Sequence, residues 1–263
     1  MNKLARLHKM LRQLRRVVIA YSGGLDSTFL LKAAVDTLGL DNVLAVTAKS
    51  ETYPDTEYKE AKRIAKSIGA RHLTIHTDEL GIANFKRNPV NRCYYCKKEL
   101  FKRLDAIRKK YGMKYVLDGT NYDDLKDIRY GRKAAKELGV RSPLLESGMT
   151  KSDIRKFSRR LKLPTWDKPS FACLASRFPF HSDITRKDLV RLDRAEEYLR
   201  RLGIKQIRVR MHGDMTRLEV CVGDLTRAVK MRKTIVRKLK DLGFKYVSLD
   251  LQGYRTGSMH EGT

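Results

Sequence analysis

Residues 16–39 read RVVIAYSGGLDSTFLLKAAVDTLG and decide the fold. Val17–Tyr21 is a short run rich in β-branched residues, the composition of a buried strand. Asp26–Leu38 carries apolar residues at helical spacing and is stopped by Gly39. Between them lies Ser22-Gly23-Gly24, so the stretch reads as strand, glycine turn, helix. Two glycines let the backbone turn tightly and come close to a ligand. The helix that follows offers unpaired N–H groups and the positive end of its dipole, which together suit an anion. Ser22, Ser27 and Thr28 add hydroxyls. The loop is not a Walker A sequence, because no Gly-Lys-Ser/Thr follows, and it is not GxGxxG.

The same alternation continues on the carboxyl-terminal side. Strands are expected at Asn42–Ala48, His72–Thr77 and Tyr115–Asp118. Helices are expected at Pro54–Ile68, Tyr95–Tyr111, Ile128–Leu138 and Lys151–Leu161. Upstream, Leu4, Leu7, Leu11 and Leu14 form an apolar stripe on a basic helix, best read as docking on the domain. Strands separated by helices imply a doubly wound parallel α/β sheet with its ligand at the carboxyl ends of the strands. Three polar stretches fall there: Ser22–Ser27, Ala48–Ser50 with Lys49, and Asp118–Asn121 with Gly119. Asp127 and Arg129 are weaker candidates close by.

The alternation breaks at PTWDKP (164–169), which places a boundary between a first domain, 1–167, and a smaller α+β domain, 168–263. Trp166, the single tryptophan, reads as an anchor for that segment. In the second domain a helix over 186–202 precedes a hairpin of strands, 206–212 and 217–222, turning at Gly213-Asp214. A helix over 225–242 and a strand over 246–251 follow. On the hairpin, Ile207, Val209 and Met211 alternate with Arg208, Arg210 and His212. Leu218, Val220 and Val222 alternate with Arg217, Glu219 and Cys221. One face packs and the other is polar, and a solvated arginine face is the plain reading of the second.

Composition sets outer limits. At 263 residues, with 41% hydrophobic and 33% charged residues, the chain is long enough for a sizeable core and is not disordered. No run reaches membrane-spanning length. No apolar stretch of signal-peptide length follows the basic N-terminus, so the cytoplasm is the expected compartment. The net charge of +27 raises the prior for an anionic partner, nucleic acid included. It divides as +18 over residues 1–169 and +9 over 170–263, with no basic tail. A lysine- and arginine-rich surface of a heat-adapted protein explains it equally well.

Four cysteines are too few for a disulfide scaffold. Cys93 and Cys96 form a CxxC pair in NPVNRCYYCKKELF, Cys173 lies in PSFACLASRFPF, and Cys221 reads as a bystander. The pair alone is open to several readings: half of a zinc site, a redox pair, part of an iron–sulfur site, or chance. Cys173 could also act alone as a reactive thiol, with Arg177 close by to favour the thiolate. Lys97 follows the pair and serves a phosphate or the solvent equally well. None of the six histidines falls in a nucleophile or metal constellation.

SGGxDS between an apolar strand and a helix resembles the PP-loop ATP pyrophosphatase superfamily. That resemblance implies ATP cleavage between the α- and β-phosphates. Ser22, Gly23, Gly24, Asp26 and Ser27 would hold the pyrophosphate, Asp26 would help to hold Mg2+, and Lys49, Gly119 and Asn121 would meet the nucleotide. The likeness goes further: NPVNRCYYCKKELF, LDGTNYDDLKDIRYG, VRSPLLESGMTKSDIRKFSRRLKLPTWDKPSFACLASRFPF and RVRMHGDMTRLEV resemble the LarE family, ATP-dependent sulfur transferases of nickel-pincer cofactor biosynthesis. The resemblance implies that a carboxylate of pyridinium-3,5-biscarboxylic acid mononucleotide is adenylated and then attacked by sulfur, leaving a thiocarboxylate. Arg208, Arg210, Glu219 and Arg177 would serve the substrate phosphate. In one branch of the family the sulfur comes from the cysteine matching Cys173, leaving dehydroalanine. In another, two further cysteines join it around a [4Fe–4S] cluster, and Cys93 and Cys96 fit that branch. A homo-oligomer and a nickel-insertion partner follow from the same resemblance.

Three alternatives remain beside it. A PP-loop tRNA thiolase would use the positive charge for RNA. An ammonia-using ligase such as an NAD or GMP synthetase would have no need of Cys93, Cys96 and Cys173. A non-catalytic adenine-nucleotide sensor would release no pyrophosphate.

Overall fold

Val17–Ala20 (β1) alternates its side chains between two apolar layers. Val17 and Ile19 enter one core with Leu7, Leu11 and Phe29, while Val18 enters a second with Phe101 and Leu104. A strand buried on both faces must be central in a sheet covered on both sides, and the topology agrees. The structure is a computed structural model and describes residues 2–125, 130–169, 171–204, 206–255 and 258.

The chain divides into two compact units, residues 1–78 with 91–171, and residues 79–90 with 172–263. In chain order the first unit has α1 (Lys3–Leu14), β1, α2 (Leu25–Leu38), β2 (Val43–Lys49), α3 (Asp55–Ile68) and β3 (Arg71–His76). After the single turn α4 (Ala83–Lys86), which belongs to the second unit, come α5 (Arg92–Lys110), β4 (Tyr115–Leu117), α6 (Tyr130–Glu137), α7 (Pro143–Glu146) and α8 (Lys151–Arg160). The sheet order is β3-β2-β1-β4, every pairing parallel. This is the doubly wound α/β unit that the alternation implies. The leucine stripe of α1 docks as expected: Leu7, Leu11 and Leu14 are buried and Leu4 is partly so.

In the second unit α9 (Arg186–Arg201) precedes the antiparallel pair β5 (Ile207–His212) and β6 (Met215–Val220), with β7 (Tyr246–Leu249) parallel to β6. The segment expected as one helix over 225–242 is two, α10 (Leu225–Lys230) and α11 (Arg232–Asp241), divided at Met231. Residues 79–90, which a linear division assigns to the first domain, join this unit through backbone and side-chain hydrogen bonds. Asn88 O accepts from His181 N at 2.9 Å, Lys86 O from Ile184 N at 3.2 Å, and Asn88 Nδ2 donates to Pro179 O at 2.6 Å. Among the described residues, no helix is long and apolar enough to cross a membrane.

Two outcomes are expected. Leu11→Ala, which empties a fully buried position, should lower unfolding free energy by about 2–5 kcal/mol. Gln13→Ala, on the exposed face of the same helix, should change it by less than about 0.5 kcal/mol, as read from urea midpoints. The second outcome concerns pH and the capping box that opens α8. Burial works against the Asp153 charge, but Lys3 Nζ at 2.6 Å and the Thr150 hydroxyl and N–H outweigh it, holding the carboxyl down to about 2. A carboxyl held below its unfolded value of about 3.9 stabilises the fold above that pH, and the gain is lost as pH falls towards 2. Acid titration of Asp153→Asn should lack this component.

Candidate active site

The loop after β1 is shaped by two constraints on one residue. Gly23 has φ +64°, and a Cβ built there would stand 2.5 Å from Ala61 Cβ and 2.8 Å from Ala61 Cα. Only glycine can turn the chain this close to α3. The hydroxyls then lock the turn. Ser22 Oγ and Ser27 Oγ lie 3.1 Å apart, Ser22 N donates to Ser27 Oγ at 3.3 Å, and Gly24 N donates to Ser22 Oγ at 3.4 Å. From behind, Tyr53 Oη donates to Ser22 O at 2.7 Å, and Lys168 Nζ reaches Gly23 O at 3.4 Å while paired with Glu57 and Glu60. Burial drives the Tyr53 hydroxyl well above its usual range, with the carboxylate of Glu57 adding to the effect, so it remains a donor. The N–H groups of Leu25, Asp26 and Ser27, in the first turn of the 14-residue α2, have no partner among the described residues and are left for an anion.

A second strand end closes on this turn. A Cβ at Gly119 would meet Ser27 N at 3.1 Å, so the chain leaving β4 runs against the start of α2. Two residues on, buried Asn121 Nδ2 donates to Asp26 Oδ1 at 3.3 Å. The other Asp26 oxygen accepts from Lys151 Nζ at 2.6 Å. Lys151 is the first residue of α8, and its own N–H donates to Asp123 Oδ2 at 2.7 Å. Asp118 is used locally, accepting from the Thr120 and Ser142 hydroxyls. The structure thus brings together Ser22, Gly23, Gly24, Asp26, Ser27, Gly119 and Asn121. It adds Lys151 and Tyr53, which the sequence reading missed. Lys49 is turned elsewhere, paired with Asp55 at 3.0 Å and lying 4.8 Å above the Tyr58 ring. Asp127 and Arg129 lie outside the described residues.

Cys93 and Cys96 stand three residues apart at the start of α5, a helix beginning three residues earlier than the spacing implied. That separation sets both on one face, Cys93 exposed and Cys96 half-buried. Two thiolates so placed fit adjacent metal ions of one cluster. In the second unit, half-buried Cys173 caps a short 3-10 turn, Leu174–Arg177. Cys221 is exposed and lies just beyond β6. Among the described residues, neither unit by itself contains three His, Cys, Asp or Glu side chains grouped as a metal site. Asp26 still suits Mg2+, an ion commonly held by one or two carboxylates with phosphate oxygens and water.

Arg208, Arg210 and Glu219, on the polar face of the hairpin, are not solvated. Arg208 and Arg210 are each about 5% exposed, and Arg177, Glu196 and Glu219 are fully buried. Arg177 holds Glu196 through Nε and Nη2 at 2.8 and 2.9 Å, and its Nη1 donates to Ala172 O and Cys173 O. Burial works against the Arg177 charge, but the carboxylate of Glu196 outweighs it and raises its pKa. The same pairing overcomes burial to keep the Glu196 carboxyl ionised. Arg177 is therefore tied to the backbone at Cys173 rather than turned to a substrate phosphate. Glu219 accepts from Arg210 at 2.9 Å, Arg217 at 3.0 Å and Ser258 at 2.8 Å. Arg208 stacks 5.1 Å from the Tyr254 ring and is shifted down by burial and by the charge of Arg177.

Comparison with known proteins places the chain. A family model for NAD synthase matches residues 5–102, the stretch that carries the loop. A protein of Lactiplantibacillus plantarum named pyridinium-3,5-bisthiocarboxylic acid mononucleotide synthase is 39% identical, over 98% of this chain and 94% of its own length. The chain belongs to the LarE family. An uncharacterized protein of Synechocystis sp. is 43% identical over 98% of this chain and 97% of its own length. Another, from Methanocaldococcus jannaschii, is 31% identical over 97% and 98%. The NAD synthase match covers the part of the chain that carries the glycine loop, and the near-complete cover of the L. plantarum synthase extends through Cys173 and the hairpin.

Removing one partner of a buried pair leaves the other charged in an apolar place. Glu196→Gln should lower unfolding free energy by about 3–5 kcal/mol. Arg200→Gln, whose partner Glu196 keeps Arg177, should cost much less, as measured by denaturant midpoints.

Proposed function

We propose that this chain is an ATP-dependent sulfur transferase acting on pyridinium-3,5-biscarboxylic acid mononucleotide in the cytoplasm. The observation that carries the reading is the near-full-length match to the L. plantarum synthase in a chain whose first unit builds the Ser22–Ser27 anion loop. A carboxylate is a poor electrophile, and joining its oxygen to the α-phosphorus of ATP creates a good leaving group. The substrate oxygen attacks that phosphorus, pyrophosphate departs into the N–H groups of Leu25, Asp26 and Ser27, and an acyl-adenylate remains. Lys151 leaves Asp26 to neutralise the departing phosphates, and Asp26 turns to Mg2+, which offsets phosphate charge when bound. A sulfur nucleophile attacks the acyl carbon, AMP leaves, and a thiocarboxylate results. A second round gives the dithio product that the relative's name describes.

For the sulfur source we propose that Cys93, Cys96 and Cys173 would hold a [4Fe–4S] cluster, which would supply sulfide to the acyl-adenylate. Arg177, bonded to Cys173 O, fixes the segment that presents this thiol. Product release to a nickel-insertion protein and assembly into a homo-oligomer belong to the same reading.

Mass spectrometry of the product and counting of turnovers test this directly. With ATP, sulfide and the mononucleotide, one oxygen per round should be replaced by sulfur, with stoichiometric AMP. Asp26→Asn should lower kcat by about 10²-fold or more. Anaerobically prepared protein should hold about four irons per chain, and Cys93→Ala should abolish both the iron and multiple turnover. Continued single turnover in Cys93→Ala, with Cys173 converted to dehydroalanine, would show instead that Cys173 gives up its own sulfur.

A further inference from the structure

The first unit has a second concave surface at the opposite edge of its sheet. Arg16 immediately precedes β1, Asn42 precedes β2 and Lys114 precedes β4. In a parallel sheet these amino-terminal ends lie at the edge away from the nucleotide loop, which follows the carboxyl end of β1. Arg12, Arg15, Arg16, Lys114, Thr37 and Asn42 line an open pocket of about 620 Å³ there. No carboxylate lines it. All four basic side chains are exposed, and among the described residues none forms an ion pair. Other cations of this unit are paired, as in Lys32–Asp36, Lys98–Glu137 and Arg103–Glu99.

The backbone takes on strain to assemble this group. Arg15 has φ +61° and ψ −65°, and Arg16 N donates to Leu14 O at 2.8 Å. That is a γ-turn of the rare, strained hand, at a residue with a full side chain. The turn sets Arg15 and Arg16 beside Arg12 of the last turn of α1. Arg16 O accepts from Lys114 N at 2.8 Å, which fixes the fourth cation next to the third. Favourable placement of cations near helix C-termini is worth about 0.3–1 kcal/mol each and accounts for one or two of them. It does not account for four mutually repelling charges gathered by a strained turn. Two carbonyls at the end of α2 already accept hydrogen bonds, Leu38 O from Asn42 Nδ2 and Val35 O from Gly39 N.

We propose that this pocket binds a multiply charged phosphate anion, separately from the nucleotide loop. The phosphates come either from a small polyphosphorylated molecule or from a nucleic-acid backbone. Neither source depends on the sulfur-transfer reading.

Two probes separate the sources, inorganic tripolyphosphate and a short single-stranded RNA, each titrated calorimetrically into the full chain and into variants. Arg15→Gly is the decisive variant, because glycine accepts the turn without strain. It should keep or raise the Tm while weakening binding about tenfold or more, the loss expected for a charge-assisted contact. Arg12→Gln/Arg16→Gln should do the same without the gain in Tm, whereas Arg6→Gln/Lys9→Gln, on the same helix outside the pocket, should leave binding unchanged. Saturable one-to-one binding of tripolyphosphate, with RNA no tighter, identifies a small anion. Tighter RNA binding, with a salt slope that falls by about one per cation removed, identifies a polynucleotide. Binding of neither probe, or binding that Arg15→Gly and Arg12→Gln/Arg16→Gln leave intact, overturns the proposal.

Discussion

The approach of Gly23 to Ala61 sets the geometry of everything around the glycine loop. With the turn pinned against α3, the first N–H groups of α2 point out of the sheet at the carboxyl end of its central strand, where their dipole favours an anion. Ser22 and Ser27 then bond to each other across the turn, so the loop is held in shape by its own hydroxyls. A methyl group at position 23 would have to push α3 away, and with it the Tyr53 and Lys168 contacts behind the loop.

Charge in the two units is handled in different ways. In the first, Asp26 is shared between an amide and an ammonium at a partly exposed site. In the second, Glu196 and Glu219 are fully buried, each bonded to at least two arginines. Buried pairs of this kind are costly to break and add little net stability over apolar packing, so their value lies in fixing geometry. Here that geometry includes the backbone at Cys173, two of whose neighbouring carbonyls are held by Arg177.

Much of the fold was legible because local pattern and tertiary demand agree. The β-branched run, the glycine turn and the helical spacing of residues 17–38 are all realised within a residue or so. What escaped depends on distant partners. Lys151 meets Asp26 across 125 positions, and its only local signal is the Thr150–Asp153 capping box that starts its helix at the sheet edge. The hairpin alternates as read, yet Arg208, Arg210 and Glu219 on its polar face are buried, where residues remote in sequence meet the strand: Glu196 accepts from Val209 N, and Ser176 O and Ser258 Oγ accept from Arg210. The division of residues 225–242 falls at Met231, where neither glycine nor proline marks a stop. Residues 79–90 leave the first unit through backbone hydrogen bonds that no side-chain pattern announces.

The central claim is that the substrate carboxylate oxygen is bonded to the α-phosphorus of ATP before sulfur enters. Mononucleotide labelled with ¹⁸O in its carboxylates tests this without reference to the sulfur source. The account predicts one ¹⁸O in the AMP released for each sulfur introduced, and unlabelled pyrophosphate. AMP without label, or label in the phosphate released as orthophosphate, would contradict it.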